Sequence, residues 1–208
     1  MRTACLVFAS LFWCSSITEA QHRLPVRRVG VMWQNGTPRI NVSVRDLANT
    51  PSVRRSLTSG IARRMNVSVQ TFRNGSARPV ASRSFACTIT YDIFERSFVV
   101  RRGRRSAVAA DYDDVLERCL TLRRHRAGTA AEFAGLEGQT IFFAVRAEFN
   151  PIDRRRCRQL LRGSGSSQQD PIGPIVINIV RREICEAERV VEFRSQDIVV
   201  PASNGGSR

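Results

Sequence analysis

The stretch SFACTITYDIFERSFVVRRGRR, residues 84–105, holds two apolar runs joined by a turn and closed by an arginine cluster. Phe85, Cys87, Ile89 and Tyr91 alternate with Ala86, Thr88, Thr90 and Asp92, the period of a strand with one buried face. The run after the turn returns as a partner strand and ends in Arg101, Arg102, Arg104 and Arg105. A cysteine on the buried face of a central hairpin points to an antiparallel sheet with a covalent tie to whatever covers it.

Working toward the N-terminus, RRMNVSVQTF alternates Met65, Val67 and Val69 and turns at Asn74-Gly75. Before it, NTPSVRRSLTSGI reads as a short helix. Thr50 is its N-cap, Pro51 its first turn, Val53 and Leu57 its inner side and Gly60 its stop. Earlier still, Val29, Val31 and Trp33 and then Ile40, Val42 and Val44 alternate about the hairpin turn Asn35-Gly36, a β-hairpin.

On the C-terminal side, DYDDVLERCLTLRRHR reads as one helix. Asp111, Asp113 and Asp114 lie in its first turn, Arg123 to Arg126 in its last, and Val115, Leu116, Cys119 and Leu120 on its apolar face. After a loop, TIFFAVRAEF is a strand with Ile141, Phe143, Val145, Ala147 and Phe149 on one face. NPIDRRRCRQLLRG is a second helix, with Cys157, Leu160 and Leu161 on one side, and GSGSSQQD is a flexible loop. PIVINIV and ERVVEFRS read as two last strands, with RREICEAERVVEF open to a helical alternative. The fold class expected is a single α+β domain over residues 21–200. It is mainly antiparallel sheet of about eight strands in several hairpins, with two to three short packed helices. Residues 201–208 form a disordered tail.

The first 20 residues have a basic start at Arg2, an apolar stretch from Ala4 to Cys14 and a polar end at Thr18-Glu19-Ala20, the layout of a secretory signal peptide cleaved near Ala20. Retention as an anchor is the competing reading, against which the apolar run falls short of the ~20 residues a spanning helix needs. No later segment of the mature chain is apolar enough to span a membrane. The expected location is periplasmic or extracellular. The formal net charge is +15, and all 33 basic residues are arginine. Such a surface is permanently cationic and suited to bidentate pairing with phosphate or carboxylate.

Export gives the cysteines their meaning. Cys5 and Cys14 leave with the leader, and Cys87, Cys119, Cys157 and Cys185 remain, an even number that suggests disulfides. Zinc competes poorly, because structural zinc ligands come in close pairs and these four are spread along the chain. Buried free thiols are the third reading. A helix that follows a hairpin packs back on it, so the pairing expected is Cys87 with Cys119 and Cys157 with Cys185.

The order of segments resembles a known family. LTSGI (57–61) precedes an alternating strand and then SFACTITYDIFERSFVV (84–100), centred on Tyr91. After these come an acidic-start helix, a long apolar strand and EFRSQDIVVP (192–201). Over about residues 30 to 200 the sequence is similar to the exported bacterial proteins grouped as domain of unknown function 4390. The resemblance implies an exported, periplasmic location and brings no catalytic residue with it.

Chemistry is sparse. His22 adjoins the expected new N-terminus and His125 sits among arginines, where its charged form would cap a helix end. Neither stands in the context a serine hydrolase needs. The acidic trio is explained by the helix start, and GSGSSQQ lacks the lysine of a phosphate loop. N-x-S/T sequons at Asn35, Asn41, Asn66 and Asn74 matter only in a glycosylating host, and two of them double as Asn-Gly turns. No catalytic residue, metal ligand or cofactor is assigned. The surviving signal is arginine: Arg101, Arg102, Arg104 and Arg105 at a hairpin end, Arg123, Arg124 and Arg126 at the helix end, and Arg154, Arg155, Arg156 and Arg158 along a helix. The first and last of these groups are the candidate anion-binding residues. The expectation is a non-enzymatic envelope accessory or binding protein whose partner is an anionic envelope lipid or polymer, or an envelope protein. An envelope hydrolase with an unrecognised site and a nucleic-acid-binding protein are the alternatives. Nucleic acid is disfavoured by export and by the lack of interleaved aromatic residues.

Overall fold

A computed structural model describes residues 24–151 and 187–202. The strands are β1 (Val26–Arg27), β2 (Gly30–Gln34), β3 (Thr37–Ser43), β4 (Arg63–Arg73), β5 (Pro79–Asp92), β6 (Ser97–Arg102), β7 (Arg105–Ala109), β8 (Thr121–Arg126), β9 (Thr140–Phe149), β10 (Arg189–Ser195) and β11 (Ile198–Val199). The α-helices are α1 (Pro51–Leu57), α2 (Tyr112–Leu120) and α3 (Ala130–Phe133), and a 3-10 turn spans Arg45–Leu47. The result is an α+β domain of two sheets, one of eight strands in the order β1-β10-β9-β4-β5-β6-β7 with β11 also on β9, the other β2-β3-β8.

Local chemistry explains most of this. Asn35 and Gly36 both take positive φ (50° and 68°), the type I′ geometry whose twist matches two strands joined by a two-residue loop. The β4 side chains Met65, Val67 and Val69 are each 1% exposed, as a period-2 strand on a core demands. β5 pairs β4 from Arg63↔Ile89 to Phe72↔Pro79 and pairs β6 from Cys87↔Arg102 to Asp92↔Ser97. Its inner face carries Cys87 and Ile89, both fully buried. These residues join Phe143, Val145 and Phe149 of β9, Val53 and Leu57 of α1, Leu116 and Leu120 of α2, and Ile40 and Leu122 of the smaller sheet in one core.

The long helix expected over residues 111–126 is corrected. α2 stops at Leu120, and Thr121–Arg126 is a strand antiparallel to β3, with Val42↔Leu122 and Ile40↔His125 in register. The inner positions of α2 are Val115, Leu116, Cys119 and Leu120, so a further helical turn would carry Arg123 and Arg124 into the core. Burying unpaired guanidinium groups is costly. Changing to a strand turns Leu122 inward and Arg123 outward, and the irregularity in the β3–β8 ladder, where Arg124 takes φ 50°, leaves Arg124 exposed as well. His125 and its neighbouring arginines therefore cap no helix.

Several elements go beyond the sequence reading, among them the 3-10 turn and β11. After Arg102 the chain turns at Gly103 (φ 58°) and returns as β7, a second hairpin on the arginine cluster. Helix α3 occupies the loop before β9. Its capping box joins Thr129 and Glu132, and Phe133 is buried edge-on to Trp33. β1 adds in parallel to β10. ERVVEFRS is a strand, as the first of its two readings had it. The leader, the helix over NPIDRRRCRQLLRG, the GSGSSQQD loop and PIVINIV lie outside the described residues, as does most of the tail.

Candidate cationic surface

Cys87 on β5 and Cys119 on α2 meet in the core as a disulfide-compatible pair, with Cα atoms 5.6 Å apart and both side chains fully buried. The hairpin places one sulfur and the helix that packs back on it places the other, as the sequence reading expected. Cys157 and Cys185 lie outside the described residues, and so do Arg154, Arg155, Arg156 and Arg158.

The other candidate arginines surround the β6–β7 turn. Arg102 and Arg105 face each other across a two-residue loop, Gly103-Arg104, in which Gly103 alone has positive φ. A glycine in the first central position is the type II′ arrangement. All four arginines are exposed. Arg101 is in register with Thr88 on one side and Ser106 on the other. Arg102 points to the opposite face of the sheet, and its guanidinium lies 5.1 Å from the centroid of Phe85. A group contiguous in sequence is thus divided between two faces. Among the described residues no carboxylate forms an ion pair with Arg101, Arg102, Arg104 or Arg105, although Arg27, Arg45, Arg63, Arg83, Arg118, Arg123, Arg146 and Arg194 each have at least one.

Tertiary packing brings His125 of β8 to Phe85, ring centroids 5.6 Å apart. Burial holds its pKa below the ordinary histidine value, and the charges of Arg102 and Arg83 push the same way. His125 is therefore the neutral wall of a cationic corner, not a further positive charge. Arg83 is tied to Glu132 at 2.5 Å, and the Glu132 carboxylate also accepts from the Thr129 N–H at 2.6 Å. These contacts, the backbone bond foremost, hold the Glu132 carboxyl below its usual range.

A second basic tract lies on the smaller sheet. Arg39 and Arg126 are in register across β3 and β8, and the Arg39 guanidinium donates to the Arg124 carbonyl at 3.3 Å. Arg124 has φ 50°, and its N–H donates to Asn41 Oδ1 at 2.7 Å. Arg39, Arg83 and Phe85 were not singled out by sequence as parts of a surface. The visible signal was their phase, since Arg83 and Phe85 share the strand face of Cys87.

The acidic trio behaves as a helix start. Asp111 caps α2 by accepting from the Asp114 N–H at 2.8 Å, Asp113 meets Arg45 at 2.6 Å and Asp114 meets Arg118 at 2.6 Å. Among the described residues no group of three or more His, Cys, Asp or Glu is arranged to hold a metal ion. No helix there is long and apolar enough to cross a membrane. Compared with protein-family models, curated proteins and solved structures, the chain finds no match in any of the three.

Proposed function

We propose that the protein is an exported, non-enzymatic accessory or binding protein of the cell envelope whose cationic surface takes an anionic partner. The observation that carries this reading is the β6–β7 hairpin: four exposed arginines with no carboxylate partner among the described residues. An arginine whose charge is not neutralised within the fold retains its attraction for an external phosphate or carboxylate. The apolar leader supports export, as does the buried Cys87–Cys119 pair, since disulfides persist in oxidising compartments. The resemblance to domain of unknown function 4390 points to the same location.

The attraction is modest per residue. At roughly 1 kcal/mol for each arginine near an anionic bilayer, one cluster gives peripheral, salt-sensitive binding rather than insertion. The test is sedimentation with phosphatidylglycerol-rich vesicles, alongside binding to inorganic polyphosphate, across a salt series. Wild-type protein should bind at low salt and release as salt rises. A variant with Arg101, Arg102, Arg104 and Arg105 replaced by serine should bind weakly to both probes. Binding indifferent to both the substitutions and the salt would refute the proposal.

A further inference from the structure

β7 is an edge. Among the described residues it pairs with β6 alone, and four of its five residues, Arg105 to Val108, are exposed. The turn sets which of its backbone groups remain open. In a two-residue hairpin the residues flanking the loop, here Arg102 and Arg105, exchange hydrogen bonds, and the pattern then alternates along the ladder. Arg105, Ala107 and Ala109 therefore direct their N–H and C=O groups to β6. Ser106 and Val108 direct theirs outward, two residues apart, the repeat an added strand requires.

The side chains beside that edge are patterned. Val108, 65% exposed, sits next to Val99, 39% exposed, giving an apolar step on one face. Ser106 sits next to Arg101 on the same face, while Arg102 and Arg105 flank the turn on the other. We infer that β7 accepts an extended acidic polypeptide segment, which joins the eight-stranded sheet beside Ser106 and Val108, lays its apolar side chains on the face of Val99 and Val108 and directs its carboxylates to the opposite face, toward Arg102 and Arg105. Charge selects this occupant. Arginines along an edge repel another copy of a chain with net charge +15, which is how edges are commonly protected. The same field draws in a strand of opposite sign.

The inference rests on the anionic-partner reading and adds the partner's chemistry to it, so its test must separate backbone pairing from charge. The probes are a short synthetic peptide of alternating glutamate and valine, the same peptide N-methylated at alternate amides, and inorganic polyphosphate, each followed by fluorescence anisotropy. Wild-type protein should bind the plain peptide and polyphosphate. N-methylation in the phase facing β7 should weaken peptide binding about tenfold or more, because those amides can no longer donate. Val108→Pro should do the same and leave polyphosphate binding unchanged, since it removes an outward N–H without touching the β6 ladder. If that variant does not fold, the N-methylated peptides on wild-type protein decide the matter alone. Equal binding of plain and N-methylated peptides in both phases overturns strand addition and leaves the cationic-surface reading in place. So does binding of polyphosphate without the peptide. Binding of neither overturns both.

Discussion

The carboxamide of Gln196 brackets the peptide groups of Val29. Gln196 Oε1 accepts from the Val29 N–H at 2.9 Å, and Gln196 Nε2 donates to the Val29 carbonyl at 2.8 Å. One side chain thus acts as a single rung of sheet between positions 167 residues apart. It sits where β10 gives way to β11. Beside it the buried Ser195 hydroxyl accepts from the Phe143 N–H and donates to the Gln196 carbonyl, bridging the break between the two strands. Gln196→Ala leaves a part-buried donor and acceptor unpaired, and the expected loss is about 1–3 kcal/mol in a urea melt. Gln196→Glu keeps the acceptor but brings a carboxylate against the Val29 carbonyl, so it should rescue none of that loss. Unchanged stability in both variants would show the bracket to be idle.

The buried Cys87–Cys119 pair should be oxidised in protein recovered from an oxidising compartment, and non-reducing peptide mapping should find that linkage. The two residues are 32 apart in sequence, and closing a loop of that size is worth on the order of 3 kcal/mol. Reduction should lower stability by a comparable amount. Cys87 linked to Cys157 or Cys185 would contradict the arrangement.

His125 gives the stability curve a slope on the acid side. Its folded pKa lies below its unfolded value, so the unfolded state binds the proton more tightly. Its contribution is fully present above the unfolded value, near 6.5, and is lost as pH falls through that value toward the folded one. The Glu132 pKa is lowered as well, so its contribution is also lost on acidification, but in the lower carboxylate range. His125→Gln should flatten the decline that sets in as pH falls below about 6.5 and leave the decline in the carboxylate range intact. An unchanged slope in the histidine range would assign it to other groups.

Gly128 is constrained by space, not by φ. A Cβ there would stand 2.5 Å from Phe133 Cε2 and 3.0 Å from Ala81 Cβ. Gly128→Ala should cost about 1–3 kcal/mol by overpacking the contact between α3 and β5. At Gly75 a Cβ meets nothing within 4 Å, but φ is 76°. The cost of Gly75→Ala should be the backbone term alone, about 1 kcal/mol. Thermal or urea denaturation of the two variants should rank them in that order.

Protein isolated from its native host should begin near Gln21, following the apolar leader and Thr18-Glu19-Ala20. N-terminal mass analysis checks this, and soluble protein that keeps Met1 would contradict it.

The sequence by itself determined the elements whose signals are local. Met65, Val67 and Val69 mark a strand because successive side chains alternate across a sheet. Asn35-Gly36 marks a hairpin because both residues accept positive φ. Asp111, Asp113 and Asp114 mark the start of α2 because that end of a helix favours acceptors and negative charge. Cys87 was placed on the core face by the same alternation, and its partner followed from a helix packing back on its hairpin. Tertiary structure alone decided what depends on distant partners. TLRRHR became β8 because β3 offered an edge that buries Leu122 and leaves arginines outside, whereas the charge pattern favoured a helix end. The contiguous arginines of residues 101–105 were divided between two faces because strand phase, not sequence proximity, sets where a side chain points. Arg102 came to lie over Phe85 with His125 beside that ring, and Gln196 reached Val29, through contacts between strands far apart in the chain. Long-range pairing of this kind leaves no local period in the sequence, since nothing near either residue in the chain marks its partner until the fold brings the two together.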